Sequence, residues 1–206
     1  MGIVASNKGG GQDFSPIPEG VFTAICYSLV DLGDQYSEKF QNTSRKILIT
    51  WELPDETIEI EGEVLPRAIS KEYTLSLSDK SNLKKDLEAW RGKKFTEDEL
   101  KGFDLENVLS KGCQVQIIHT VKGEKTYANI ASIMGLPKGM KTKAPVNPTV
   151  YFDLESEGAI DTLNKLPTWI QDKVRKSETY KAIVSGGLGH QECLDTITAE
   201  DDLPFN

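Results

Sequence analysis

Residues 46–53, "KILITWEL", place Ile47, Ile49, Trp51 and Leu53 on one side and Leu48, Thr50 and Glu52 on the other. That period of two is the signature of a strand with one face in a core. Thirty residues on, the period changes. In "NLKKDLEAWRG" the apolar residues Leu83, Leu87 and Trp90 recur at i, i+4 and i+7, which lines one face of a helix. From Cys113 the β-prone alternation resumes. A chain whose period runs two, then 3.6, then two again must set a helix between two groups of strands, a pattern several small β-rich barrels share.

The flanking stretches sharpen this order. Residues 1–15 contain "KGGGQ" and read as a flexible arm. "PIPEG" starts the domain, and "VFTAICYSLVDLG" predicts a first long strand over about 21–33. "DQYSEKFQNTSR" reads as a polar loop and "PDET" as a turn after the second strand. A hairpin or arm is expected around Gly62, then a third strand over about 67–77. Asp79 or Ser81 suits the helix N-cap and Gly92 its end, and Thr96 with Glu99 forms a capping-box pair before a second short helix. "DLENVLSKG" allows one more turn. "CQVQIIHTVKGEKTYANIASIM" reads as a hairpin with Gly123 at its tip.

Three strands, a helical insertion and a hairpin is the order of the OB-fold. The expected class is therefore mainly β: an OB-fold-like five-stranded Greek-key barrel over 16–134 with a helix between strands 3 and 4. Residues 135–184 read as a basic linker, a short strand at "VYFDL" and one C-terminal helix starting at Pro167, with Trp169, Ile170 and Val174 on its apolar side. "SGGLGH" then leads into an acidic tail over 185–206, expected to be disordered.

Charge bears on partners. The net charge is −8, but 191–206 hold five acids and no Lys or Arg, which leaves −3 for 1–190. Residues 80–146 hold 13 Lys or Arg against 8 Asp or Glu, a local excess of +5. A locally basic body joined to an acidic end suits a polyanion partner better than the total suggests. No apolar run reaches the roughly 18 residues of a membrane span, and "MGIVASNKGGGQDF" lacks the apolar core of a signal peptide. Gly2 and Ser6 fit the short, common pattern for myristoylation. Cys26, Cys113 and Cys193, with His119 and His190, make neither a zinc framework nor a disulfide scaffold, and fit a reducing cytoplasm.

Catalytic signatures are missing. There is no Walker loop, no G-x-S-x-G and no H-E-x-x-H. "GGLGH" reads as linker, not phosphate loop. Glu59, Glu61 and Glu63 alternate with apolar residues as a solvated strand face does, with a metal-dependent nuclease as the competing reading. His119 reads as an exposed strand histidine that could also stack on a base. No cofactor is expected.

Single-stranded nucleic acid needs cations for phosphates and aromatic faces for bases. The candidates are Tyr27, Tyr36, Lys39 and Phe40 from the first strand and its loop; Arg45 and Lys46 opening the second strand; Arg67, Lys71 and Tyr73 on the third; and Lys122, Lys125 and Tyr127 on the final hairpin. Tyr27 and Tyr73 suit the core equally well. Trp51, Trp90 and Trp169 sit at core spacing. Arg45, Lys46, Lys71, Lys125 and Tyr127 are the strongest of the set. A barrel that binds protein instead, as an adaptor, is the other reading of the same surface.

The tail "EDDLPF" resembles the acidic tip of bacterial and phage single-stranded-DNA-binding proteins. "KEYTLSLSDKSNLKKDLEAWRGKKFTEDEL" with "YANIASIMGLPKGM" is similar to a family of phage-encoded OB-fold proteins of this size, over roughly 15–180. The resemblance implies a body that coats single-stranded DNA without sequence preference, and a tip that docks on replication, repair and recombination proteins. In that tip, Asp201 and Asp202 would meet partner cations, while Leu203, Pro204 and Phe205 would enter an apolar pocket. The tail could also compete with DNA for the protein's own cationic groove. In the bacterial proteins phenylalanine is last; here Asn206 follows it.

Overall fold

A computed structural model describes residues 15–60 and 62–194 of the chain. Six strands form one sheet: β1 (Gly20–Ser37), β2 (Asn42–Ile60), β3 (Glu63–Thr74), β4 (Gly112–Lys122), β5 (Lys125–Met134) and β6 (Val150–Phe152). The hydrogen-bonded order is β3-β2-β1-β4-β5, antiparallel throughout, and β6 joins β1 in parallel. β3 and β5, at the two ends of this path, approach each other without a ladder between them. Five α-helices, α1 (Asn82–Arg91), α2 (Glu97–Lys101), α3 (Ala159–Leu163), α4 (Thr168–Arg175) and α5 (Glu178–Leu194), and one 3-10 turn over Leu105–Val108, where "DLENVLSKG" allows it, complete the described residues.

β1 organises the sheet because it is paired along both edges. Its start, Gly20 to Ile25, pairs with β4, and Ile25 to Ser37 pair with β2. Register shifts at Tyr27 and Leu32 put extra residues into β1 and turn it, as bulges do. The expected turn at "PDET" is instead such an irregularity. β2 runs on to Ile60, and Pro54, Asp55 and Glu56 stand out of register with β3. Proline has no N–H to give the ladder, so the interruption falls there. Gly62, at φ 87°, turns the ribbon into β3.

Two apolar layers sit on the two faces of the sheet. The inner layer joins the face that alternation marks on β2 (Ile47, Ile49, Trp51, Leu53) to Cys113, Val115 and Ile117 of β4, Ile130 and Ile133 of β5, and Leu83, Leu87 and Trp90 of α1. The α1 positions are those its spacing predicts, and Gly92 ends the helix in the left-handed conformation at φ 68°. Trp51 and Trp90 pack with ring centroids 5.8 Å apart. Thr96 and Glu99 close a complete capping box on α2.

The sequence announced parts of the outer layer, the short strand at "VYFDL" and the apolar side of α4 with Ile170 and Val174, but not what they cover. Val30 and Leu32 of β1 and Leu48 of β2 pack against Phe152, Leu154, Leu163, Ile170 and Val174. The chain after β5 therefore returns and covers the back of β1 and β2. The single C-terminal helix expected from Pro167 is instead two, with the short α3 ahead of them. Pro167 is the N-cap of α4, and α4 stops before Ser177, whose buried hydroxyl bonds to the Val174 carbonyl at 2.6 Å. α5 then carries the "SGGLGH" stretch that reads as linker. Trp169, expected in the core, is 54% exposed.

Candidate nucleic-acid interface

β4 and β5 form the best-defined part of the candidate surface. Ile117 and Ile130 are paired and point to the core. Strand alternation then sends Ile118, Thr120 and Lys122 of β4, and Lys125, Tyr127 and Asn129 of β5, to the opposite face. Thr120 lies opposite Tyr127, and Lys122 opposite Lys125. Asn129 Nδ2 donates to Thr120 Oγ1 at 3.1 Å and to the Tyr127 carbonyl at 3.1 Å, stiffening the ribbon beneath the tyrosine. The turn uses Gly123 at φ 61°. Two ammonium groups and one exposed phenol thus share a face.

The second group lies at the β1–β2 turn. The polar loop expected over 34–45 is mostly strand, and only residues 38–41 turn. Phe40 is 70% exposed and Tyr36 is exposed close by in sequence. Lys39 Nζ stands 5.4 Å from the centre of the Phe40 ring. An aromatic face with an adjacent cation suits a stacked base and its phosphate.

Lys46 follows on β2, its Nζ donating to Thr74 Oγ1 at 2.7 Å. Lys71 pairs with Asp86 of α1 at 2.7 Å. The remaining candidates have structural partners. Tyr73, 3% exposed, belongs to the inner core, and its hydroxyl donates to Asp86 Oδ2 at 2.7 Å. Burial, then the Asp86 charge, push its phenol well above the ordinary range. It is core, not a stacking platform. Tyr27, at the first β1 bulge, is half-buried, and its phenol is raised by burial and by the Glu52 carboxylate. Arg67 Nη1 donates to the Ser15 carbonyl at 2.9 Å. His119, expected to be a plain exposed strand residue, ties the start of the domain to β4. Its backbone N–H donates to Glu19 Oε1 at 2.7 Å, and its Nε2 lies 2.8 Å from the Ile17 carbonyl.

Arg45 moves furthest from expectation. Nη2 lies 2.5 Å from Asp31 Oδ2 and 2.9 Å from Glu155 Oε2. The Asp31 hydrogen bond is the main reason its pKa rises above the ordinary arginine range. The guanidinium stays charged but is spent on carboxylates. The cleft it enters, about 450 Å³, is lined by Asp31, Asp104, Asp153 and Glu155 as well. Four carboxylates to one cation make a surface that repels phosphate.

Glu52 has a structural role instead. Its carboxylate is fully buried and accepts from the Val146 N–H at 2.9 and 3.0 Å, the Asn147 N–H at 2.8 Å and Asn147 Nδ2 at 2.7 Å. It pins the segment between β5 and β6 against the back of β2. Alternation puts Glu52 on the polar side of β2, but nothing nearby in sequence announces a partner 94 residues away. Among the described residues no group of three or more His, Cys, Asp or Glu is arranged to hold a metal ion. Glu61 and the tip residues Asp201, Asp202, Leu203, Pro204 and Phe205 lie outside the described residues. No helix of the described residues is long and apolar enough to cross a membrane. No family model matches the chain, and no curated protein matches it.

Proposed function

We propose that the chain is a non-enzymatic, sequence-tolerant single-stranded DNA-binding protein of the OB-fold type, akin to phage proteins that coat DNA during replication, recombination or repair. One observation carries this reading: two projecting turns each present an exposed aromatic beside lysine, Tyr36, Lys39 and Phe40 on one and Lys122, Lys125 and Tyr127 on the other. Bases stack on such rings in any sequence, and the lysines meet the phosphates. The strand order supports the fold assignment. β1 lies between β2 and β4, β3 comes near β5, and α1 sits between β3 and β4 in the chain, an order expected of an OB-fold whose barrel is open along one seam.

The C-terminal helices bear on the path of the strand. Leu48, Thr50 and Glu52 on the outer face of β2 are buried, so bases cannot lie flat over β1 and β2. The accessible course runs by the turns and along β3, whose Ser70, Glu72 and Thr74 are exposed. The acidic tip, through Asp201, Asp202 and Phe205, is proposed to recruit replication and recombination proteins, and to compete with DNA for the lysines.

Fluorescence anisotropy with labelled oligo-dT and with duplex DNA, at low and high salt, tests the reading. The expected result is preference for the single strand, weakening with salt. Phe40→Ala and Tyr127→Ala should each weaken binding by about fivefold to 150-fold, the range of one lost base stack at about 1–3 kcal/mol. Equal binding of duplex and single strand, or unchanged affinity in both folded variants, would overturn it. Oligo-U in place of oligo-dT distinguishes DNA from RNA.

A further inference from the structure

The end of β3 and the start of α1 enclose a cleft of about 370 Å³. Its walls carry Lys46, Lys71 and Lys80 and the hydroxyls of Thr74, Ser76 and Ser78. This is a concentration of donors, and the carboxylate on its wall, Glu72, and the one behind it, Asp86, already have partners. Asp86 is held by Lys71 and by the Tyr73 hydroxyl. Glu72, on the wall itself, pairs with Lys173 of α4. Among the described residues neither Lys46 nor Lys80 is ion-paired. Two positive charges therefore face the cleft without compensation.

The local backbone adds to this. Ser81, the N-cap of α1, does not cap the helix; its hydroxyl donates to the Ser76 carbonyl at 2.5 Å. The first turn of α1 has no acidic residue. The positive end of a ten-residue helix thus opens beside the two lysines. Ser78 N–H donates to Ser76 Oγ at 3.2 Å and Ser81 N–H to the Ser78 carbonyl at 2.9 Å, so the wall is a hydrogen-bonded turn.

We propose that this cleft is a backbone-phosphate subsite, holding one phosphodiester of a bound single strand between Lys46 and Lys80. It rests on the single-strand reading above and deepens it. Lys46 and Lys80 neutralise the non-bridging oxygens, and the Thr74 and Ser78 hydroxyls donate to them. Lys71 acts from behind by keeping Asp86 neutralised, as a positioning residue. A phosphate is favoured over a carboxylate because the donors come from several sides, matching a tetrahedral group with several acceptors. Lys46 also links the cleft to the β1–β2 turn, since both lie at the same end of β2. The strand would pass from Phe40 into the cleft.

The test uses the full chain with oligo-dT across a salt series. Lys46→Gln with Lys80→Gln should lower the slope of log K against log salt by about 0.7 for each phosphate no longer neutralised. The control is Lys93→Gln with Lys94→Gln, just past the other end of α1, about 15 Å away. It removes the same charge and should leave the slope unchanged. If the wild-type chain binds oligo-dT and the two double variants behave alike, the cleft assignment falls and the single-strand reading stands. If the wild type binds no oligo-dT, both fall. Inorganic phosphate alone is the second probe. Amide shifts over residues 76–82 with phosphate but not with oligo-dT would mark a free-phosphate site and overturn the strand contact.

Discussion

Two tryptophans in the same core differ in one hydrogen bond, and that difference is measurable. Trp90 Nε1 donates to the Gly112 carbonyl at 2.8 Å, whereas Trp51 Nε1 is buried with no partner among the described residues. Both substitutions to phenylalanine lose volume, but only Trp90→Phe also strands a carbonyl. Urea unfolding should show Trp90→Phe the more destabilising by about 1 kcal/mol; the reverse order would contradict the packing described. Cys26 and Cys113 predict an alkaline limit. Burial pushes the Cys26 thiol up to about 12 and raises Cys113 too, from an ordinary 9.0. Both thiols stay neutral in the folded chain while the unfolded chain ionises near pH 9. Their contribution is complete below that pH and is lost as pH rises toward the folded values. Thermal melts from about pH 8 to about pH 10 should show a falling midpoint. Cys113→Ala should flatten that fall even though its midpoint starts lower. Identical slopes would exclude the thiols as the cause.

The elements joining the outer layer to the sheet are held at a few points. Gly33, at φ 70°, faces Ser177 and Leu154. A Cβ there would lie 2.7 Å from Ser177 Oγ and 2.9 Å from Leu154 Cδ2. Gly33→Ala is therefore both strained and crowded, and should cost on the order of 2 kcal/mol or more. Hydrogen exchange should rise first in α4 and early α5; uniform loss of protection would show instead that the two layers unfold as one. Glu52→Ala removes the shared acceptor of the Val146 and Asn147 donors, which solvent can partly replace, and should cost on the order of 1–2 kcal/mol in urea. How much the sequence disclosed follows from range. β2, α1, the capping box and the β4–β5 turn depend on neighbours a few residues away, and their periods and glycines announce them. Leu48 looks like an intruder on the polar face of β2 until α4 is seen over it. The same holds for the site. That Lys125 and Tyr127 share an exposed face was legible because hairpin alternation fixes their side. Arg45 was not, because Asp31 and Glu155 reach it from other elements, and Tyr73 suits an exposed platform until α1 closes on it. Lys80 gives no signal of its own: it is one lysine in a polar turn, and only the cleft gives it company.

At the scale of the whole molecule, charge is divided by region. The cleft around Arg45 is acidic, and Tyr151 on its wall has a phenol raised by burial and then by nearby carboxylates, Asp153 first. The cleft around Lys46 and Lys80 is basic. A polyanion would favour the second cleft over the first, so association as well as affinity should fall with ionic strength. Removing residues 195–206, which keeps all of α5, should raise affinity for oligo-dT at low salt and leave it little changed at high salt, where a competing tail is already screened. Lower affinity on removal would mean that the tail aids binding.

The parallel contact of β6 with β1 also has a consequence for synthesis. Val30, Leu32 and Leu48 are made early, but the residues that cover them run from Phe152 to Val174. At about 5–20 residues per second, a ribosome would leave that apolar face open for several seconds while the inner layer has all its parts. The nascent chain would be stickiest in that interval, and holding it then is a task for a chaperone rather than for the finished fold.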